Sequence, residues 1–158
     1  IMIGYGVGTS PVISYHYGAQ NHEELHNLFR RSLVLMGAFS ISLFAAAQLL
    51  AGVCAEIFVG YDPELKIMTV NAFRIYAVSF LFCGFNIFGS GFFTALNNGL
   101  ISAVISFMRT LIFETSAVLL LPLIFGIGGI WSAIIVAEVA AIILTIIFLV
   151  YKQKDYHY

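Results

Sequence analysis

Four stretches of the chain, roughly 32–58, 70–96, 100–125 and 128–151, are each apolar over the length that a helix needs to cross a bilayer, about 20 residues for a hydrocarbon layer ~30 Å thick. In hydrocarbon no water meets the backbone N–H and C=O groups, so a spanning segment must satisfy them within itself as a helix, or within a closed barrel. Uninterrupted apolar runs of this length read as helices. The expected fold class is therefore all-α, a polytopic membrane helix bundle with the lipid bilayer as its first partner. Charge agrees: 9% of the residues are charged, against about 25% in soluble domains, too few to cover a water-soluble surface. The net charge of −1 says nothing about nucleic acid, but no basic run of the needed density exists, so no nucleic-acid partner is expected. Cys54 and Cys83 lie inside apolar spans without CxxC spacing and read as small packing residues rather than a redox pair.

The polar breaks are short. The longest, HYGAQNHEELHNLFRR at 16–31, contains a connector expected at 18–31; Tyr61-Asp62-Pro63-Glu64, Asn97-Asn98-Gly99 and the run from Phe125 to Gly129 supply the remaining turns. Each carries turn chemistry, with Pro presetting φ and Gly or Asn accepting positive φ. Arg30 and Arg31 precede the first full span and Lys152 and Lys154 follow the last, in a tail expected at 152–158. Four crossings return the chain to its starting side, so both basic ends are expected to be cytoplasmic. Residues 1–15, IMIGYGVGTSPVISY, are apolar but too short to cross and carry no signal-peptide pattern. They read as the end of a helix that starts upstream, and the chain is expected to be part of a longer protein. Gly84, Gly89, Ser90 and Gly91 offer small surfaces for close helix packing; Pro122 is a tolerated helix interruption.

His22-Glu23-Glu24-Leu25-His26 matches the H-E-x-x-H pattern in which a helix places two zinc-ligating histidines on one face with a glutamate as base. A zinc enzyme needs a third ligand. Asp62 is expected on the far side of the membrane, Asp155 lies in the tail, and His16 precedes the helix. The stretch therefore reads as a solvated connector with glutamates complementing a helix N-terminus, and no metal site is expected. A membrane metalloprotease is kept as the alternative reading.

Arg74, Arg109, Glu114 and Glu138 are ionisable groups in or near the spans. A charge at the bilayer centre costs at least ~2.5–3.5 kcal/mol, so it is retained only with a partner, a wet cavity or a task. At ~1.5 Å per residue, Arg109 lies about 13 Å from one end of its span, and Glu114 and Glu138 about 16 and 15 Å from the opposite end; the three are expected to converge near the midplane. Arg74 lies near a span end, within reach of the interface. Residues five apart sit ~140° apart on an α-helix, which separates Arg109 from Glu114 and makes Glu138 the expected mate of Arg109. The readings left open are a structural ion pair with a protonated carboxyl, or a proton or cation relay. Asn86, Ser79, Thr94 and Gln48 fit either a cavity lining or helix–helix hydrogen bonds.

GVGTSPVISYHYGAQN at 6–21, FRIYAVSFLFCGFNIFGSGFFTALNNG at 73–99 and SFMRTLIFETSAVLLLPLIFGIGGIWSAIIVAE at 106–138 together resemble the multidrug and toxic compound extrusion family, in order and spacing rather than in any one motif. The resemblance is to the C-terminal half of a bacterial member and covers essentially the whole chain. It implies part of a two-lobe (6+6) antiporter of the cytoplasmic membrane, exporting drugs or organic cations in exchange for H⁺ or Na⁺ by alternating access, with no other cofactor and no enzyme activity. On that template residues 1–17 end the eighth helix, the four spans are the ninth to twelfth, and the partner is an N-terminal lobe of the same polypeptide. One branch of the family carries an aspartate on the tenth helix; 70–96 has no acid, which shifts weight to that other lobe or to Glu114 and Glu138. The site candidates are Glu114, Glu138, Arg109 and Asn86, with Phe85 and Phe92 as aromatic surfaces for flat cations. A fragment that is inactive without its N-terminal lobe is the remaining alternative.

Overall fold

The computed structural model describes residues 1–158, and every regular element in it is helical: α1 (Met2–Gly18), α2 (His22–Val59), α3 (Pro63–Ala77), α4 (Phe80–Ala95), α5 (Gly99–Phe107), a π-helical segment (Met108–Glu114), α6 (Thr115–Phe125) and α7 (Ile127–Tyr156). Gly99–Phe125 forms one continuous span of 27 residues. It and α2 and α7 are each long and apolar enough to cross a membrane, and α3 and α4 meet the same criterion together as a bent pair. The chain is a helical membrane bundle.

Helix boundaries and membrane boundaries differ. α2 starts at His22, ten residues before the apolar run, and the connector shrinks to Ala19–Asn21. The side chain of Asn21 accepts from Glu24 N at 3.2 Å, and Glu23 and Glu24 occupy the first turn, which offsets the unpaired N–H groups and the dipole there. Hydropathy marks where lipid begins, not where hydrogen bonding begins. At 38 residues, or about 57 Å, α2 is nearly twice the hydrocarbon thickness and extends well beyond it. α3 likewise starts early, at Pro63: Asp62 Oδ1 accepts from Glu64 N and Leu65 N, and Pro63 fills a position that needs no donor.

The apolar run at 70–96 is not one straight helix. α3 and α4 meet at 42° across Val78–Ser79. Val78 N, Ser79 N, Leu81 N and Phe82 N all bond the carbonyl three residues back, and Ser79 Oγ donates to Tyr76 O at 2.7 Å. Tightening to the 3₁₀ pattern with a side chain on the ladder is a sufficient cause for the bend.

α4 is the axis of the bundle, packed against α1, α2, α5 and α7. Its glycines make the approach possible. A Cβ on Gly84 would stand 2.9 Å from Met2 Sδ and from Ser40 Oγ, and one on Gly89 would collide with the Thr145 methyl. α7 answers with a stripe of buried small residues, Gly129, Ala133, Ala137, Ala141 and Thr145, the small-xxx-small spacing that brings membrane helices together.

At one end an aromatic cluster closes the bundle. Phe29 of α2, Phe88, Phe92 and Phe93 of α4 and Tyr156 and Tyr158 at the C-terminal end share ring contacts. α7 runs on through the expected tail to Tyr156. His157 then adopts φ 54°, and Tyr158 folds back to donate to Leu149 O at 2.8 Å. Phe29 and Tyr158 rings lie 5.0 Å apart, so the start of α2 and the end of α7, with their basic residues, share one side of the bundle. Beyond these contacts only 30 of 158 residues are buried, while Leu49, Ile57 and Leu123 stand almost fully exposed; such a surface is matched by hydrocarbon, not by water.

Two outcomes test this packing. Gly89→Leu should lower the thermal unfolding midpoint in detergent by the equivalent of about 1–3 kcal/mol of overpacking, whereas Gly91→Ala, whose Cβ meets nothing within 4 Å, should leave it unchanged or raise it. Burial pushes the Tyr158 phenol well above the ordinary tyrosine value of 10.0. A raised folded-state value means that the stabilisation is complete below pH 10 and is lost as pH climbs toward the folded value. In an alkaline titration followed by phenolate absorbance, Tyr158 should ionise only well above pH 10, and Tyr158→Phe should remove that late phase.

Candidate functional site

The small-residue face of α7 carries one acid. Glu138, 3% exposed, follows Ala137 on the face turned to α4. One turn on is Ala141, two turns on is Thr145, and opposite them on α4 stands Asn86, 1% exposed. Because the two backbones approach so closely, short side chains bridge them. Asn86 Nδ2 donates to Glu138 Oε2 at 2.7 Å and to the Glu138 carbonyl at 3.1 Å, while Thr145 Oγ1 donates to Asn86 Oδ1 at 3.1 Å. Thr145 thereby fixes which way the amide points, since its hydroxyl hydrogen must meet an oxygen.

Glu138 Oε1 takes Arg109 from the third span. Nε lies at 3.0 Å and Nη2 at 2.5 Å, both donating. The guanidinium side chain retains 26% exposure and the carboxylate 4%. Guanidinium stays charged under all ordinary conditions, so the pair is neutral as a unit in a place where neither charge is tolerable alone. The expected mating of Arg109 with Glu138 is present, and Asn86 serves it by hydrogen bonding rather than by lining a void.

Arg109 occupies the second position of the π-helical segment. There the backbone bonds the fifth residue rather than the fourth. The 140° separation expected between Arg109 and Glu114 assumed α-helical winding; π winding instead brings residues five apart onto neighbouring positions. Even so, Glu114 is half-buried and makes no hydrogen bond or ion pair. The structure joins two of the three ionisable groups expected at the midplane and leaves the third separate.

Other expectations need correction. Phe92, expected to face a cavity, is 1% exposed against Phe29 and Tyr158, and Phe85 packs on the same core opposite Gly37. The bulk of α4's aromatic rings fills the space that its glycines leave beside the neighbours. Gln48 donates to Arg74 O across α2 and α3 at 2.9 Å, and Ser79 bonds within its own helix. Thr94 contacts Ser102 Oγ at 2.7 Å and, with Gly6, Ser10, Ser90 and Gly91, lines a groove of about 430 Å³ between α1 and α4. Thr145 escaped the sequence reading altogether; its seven-residue offset from Glu138, placing both on one helix face, was the available signal.

His22 and His26 occupy the first turns of α2, exposed. The His22 ring meets His157 edge-on at 5.1 Å. No three His, Cys, Asp or Glu side chains gather into a group that could hold a metal.

The MatE family model matches residues 1–120. The chain belongs to the MatE family. It is thus a multi-pass membrane transporter chain of the multidrug and toxic compound efflux class and not an enzyme, which retires the metalloprotease alternative. The matched region holds Asn86, Arg109 and Glu114, and Glu138 lies beyond it. Comparison with curated proteins and with solved structures gives no match.

Removing one member of the Arg109–Glu138 pair should cost more than removing both. Arg109→Met strands the buried carboxylate and is expected to destabilise by about 3–5 kcal/mol, while the double change Arg109→Met with Glu138→Met recovers most of that loss; reversible unfolding in mixed micelles measures both.

Proposed function

We propose that this chain works as one lobe of a cation-coupled exporter in the cytoplasmic membrane. A drug or organic cation would leave the cell as H⁺ or Na⁺ enters, by alternating access against an N-terminal lobe of the same polypeptide. Family membership supports efflux, and the buried Glu138 carboxylate supports ion coupling, because an ionisable group at this depth is kept at a cost. Glu138 is the central coupling residue, Arg109 its counter-charge, Asn86 its orienting donor and Glu114 the second carboxyl.

In this reading the coupling ion reaches Glu138 by displacing a hydrogen-bond donor. Both carboxylate oxygens are occupied, one by Arg109 and one by Asn86. A proton on Oε1 cancels the charge that Arg109 answers, and the freed guanidinium then requires another acceptor. Glu114, five residues along the π turn and unpartnered, is the carboxyl on the same span. Its loading and unloading would bias the segment between two arrangements, and a ligand shifts such an equilibrium only by its differential affinity for them.

The test is drug resistance and gradient-driven efflux in sensitive cells expressing the full-length protein that contains this chain. Glu138→Gln should reduce both to the level of cells lacking the transporter, and Glu114→Gln should weaken the dependence on the ion gradient. Unaltered export by both variants refutes coupling through these carboxyls, with surface expression checked by immunoblot.

A further inference from the structure

We propose that the Arg30–Leu35 face of α2 is a binding site for an anionic phospholipid. Asn27, Arg30, Arg31, Val34 and Leu35, all on α2, border an open space of about 520 Å³ beside the helix. Their spacing, i, i+3, i+4, i+7, i+8, places all five on one side of the helix. The face is polar at the top and apolar below, the polarity profile of a lipid.

Charge identifies the headgroup. Both arginines are exposed, and neither is paired: the ion pairs of the chain are Lys66–Glu56, Arg109–Glu138 and Lys152–Asp155. Glu23 and Glu24 lie at least six residues nearer the N-terminus, about 9 Å further into water along the axis. Arg30 and Arg31 border the same open space at the point where the apolar run begins, and arginine binds a phosphodiester through parallel N–H donors. Asn27, one turn above, offers its amide to the polar part of the headgroup.

The apolar side continues the match. Val34, Leu35, Ala38, Ile41 and Ala45 form an exposed strip on α2. Val34 to Ala45 spans about 16 Å, the depth of one leaflet, or half of the ~30 Å hydrocarbon layer. An acyl chain lying on this strip keeps its phosphate at the arginines. The end of α7, with Lys152 and Lys154, lies on the same side of the bundle, which makes the leaflet the one that basic residues select. This site stands apart from the Arg109–Glu138 pair and does not depend on the proposed coupling.

Native mass spectrometry of the purified 158-residue chain in detergent, titrated with phosphatidylglycerol or phosphatidylcholine of identical acyl chains, tests it. The unaltered chain should prefer phosphatidylglycerol by roughly thirtyfold, the combined effect of two basic side chains at an anionic surface. Arg30→Gln with Arg31→Gln should bring the two lipids to near parity, and Lys152→Gln with Lys154→Gln should retain the preference. Circular dichroism checks that each variant keeps its helix content, and Arg30→Lys with Arg31→Lys supplies a charge-conserving variant that should retain part of the preference. Absence of a preference in the unaltered chain, its survival in the double Arg→Gln variant, or an equal loss in the double lysine variant overturns the proposal. Displacement of bound phosphatidylglycerol by millimolar inorganic phosphate also overturns it, by assigning the arginines to a free anion.

Discussion

A carboxylate surrounded by hydrocarbon must find positive charge and hydrogen-bond donors within reach, and much of this bundle follows from meeting that demand at Glu138. One donor, Asn86, has a short side chain, so α4 and α7 must come close enough for it to bridge them. Close approach in turn excludes Cβ atoms where the helices touch. Gly89 lies under Thr145, and Ala133, Ala137 and Ala141 flank the acid. Without a hydrophobic force between helices in lipid, such small faces and polar bridges are what remains to hold them. The site and the packing are one device.

The other end of α4 solves a different problem. There the helix presents Phe88, Phe92 and Phe93 to Phe29, Tyr156 and Tyr158, and the polar ends of α2 and α7 stand beside it. Aromatic rings suit this position because they add contact area and edge-to-face attraction with few rotatable bonds. Between the aromatic end and the 42° bend at Val78–Ser79, α4 is held from four sides. α3 lies beyond the bend and packs on α2 and α7 with far less burial of its own residues.

The sequence made the spans legible because apolar length is a property of composition, and lipid enforces it. It made the Arg109–Glu138 pairing legible because two charges at similar depth on successive antiparallel helices have few alternatives. It did not reveal the π winding at Met108–Glu114, since no Pro or Gly marks it and a single residue of slip costs too little to leave a trace in hydropathy. That omission carried the wrong angular relation between Arg109 and Glu114. Phe92 was misplaced for a related reason: α4 is apolar on nearly every side, so periodicity cannot separate its core face from any other. The glutamates of 22–26 already pointed to a helix N-terminus there, whereas the start at Pro63 was legible only through capping chemistry at Asp62, which a hydropathy boundary overrode.

The arginines show how depth decides the answer to one physical problem. Arg109 is too deep for water and takes a protein carboxylate, giving up most of its hydration for two hydrogen bonds. Arg74, in the last turn of α3, is exposed and makes no ion pair. Arg30 and Arg31 stand at the boundary itself. A protein partner there would have to come from the same polar stretch, and the nearest acids on α2 complement the N-terminal dipole instead. Leaving that pair open to the membrane surface costs nothing in desolvation until an anionic headgroup arrives. The same residue type thus serves as a buried counter-charge at Arg109 and as an exposed receptor at Arg30 and Arg31, according to how far each stands from water.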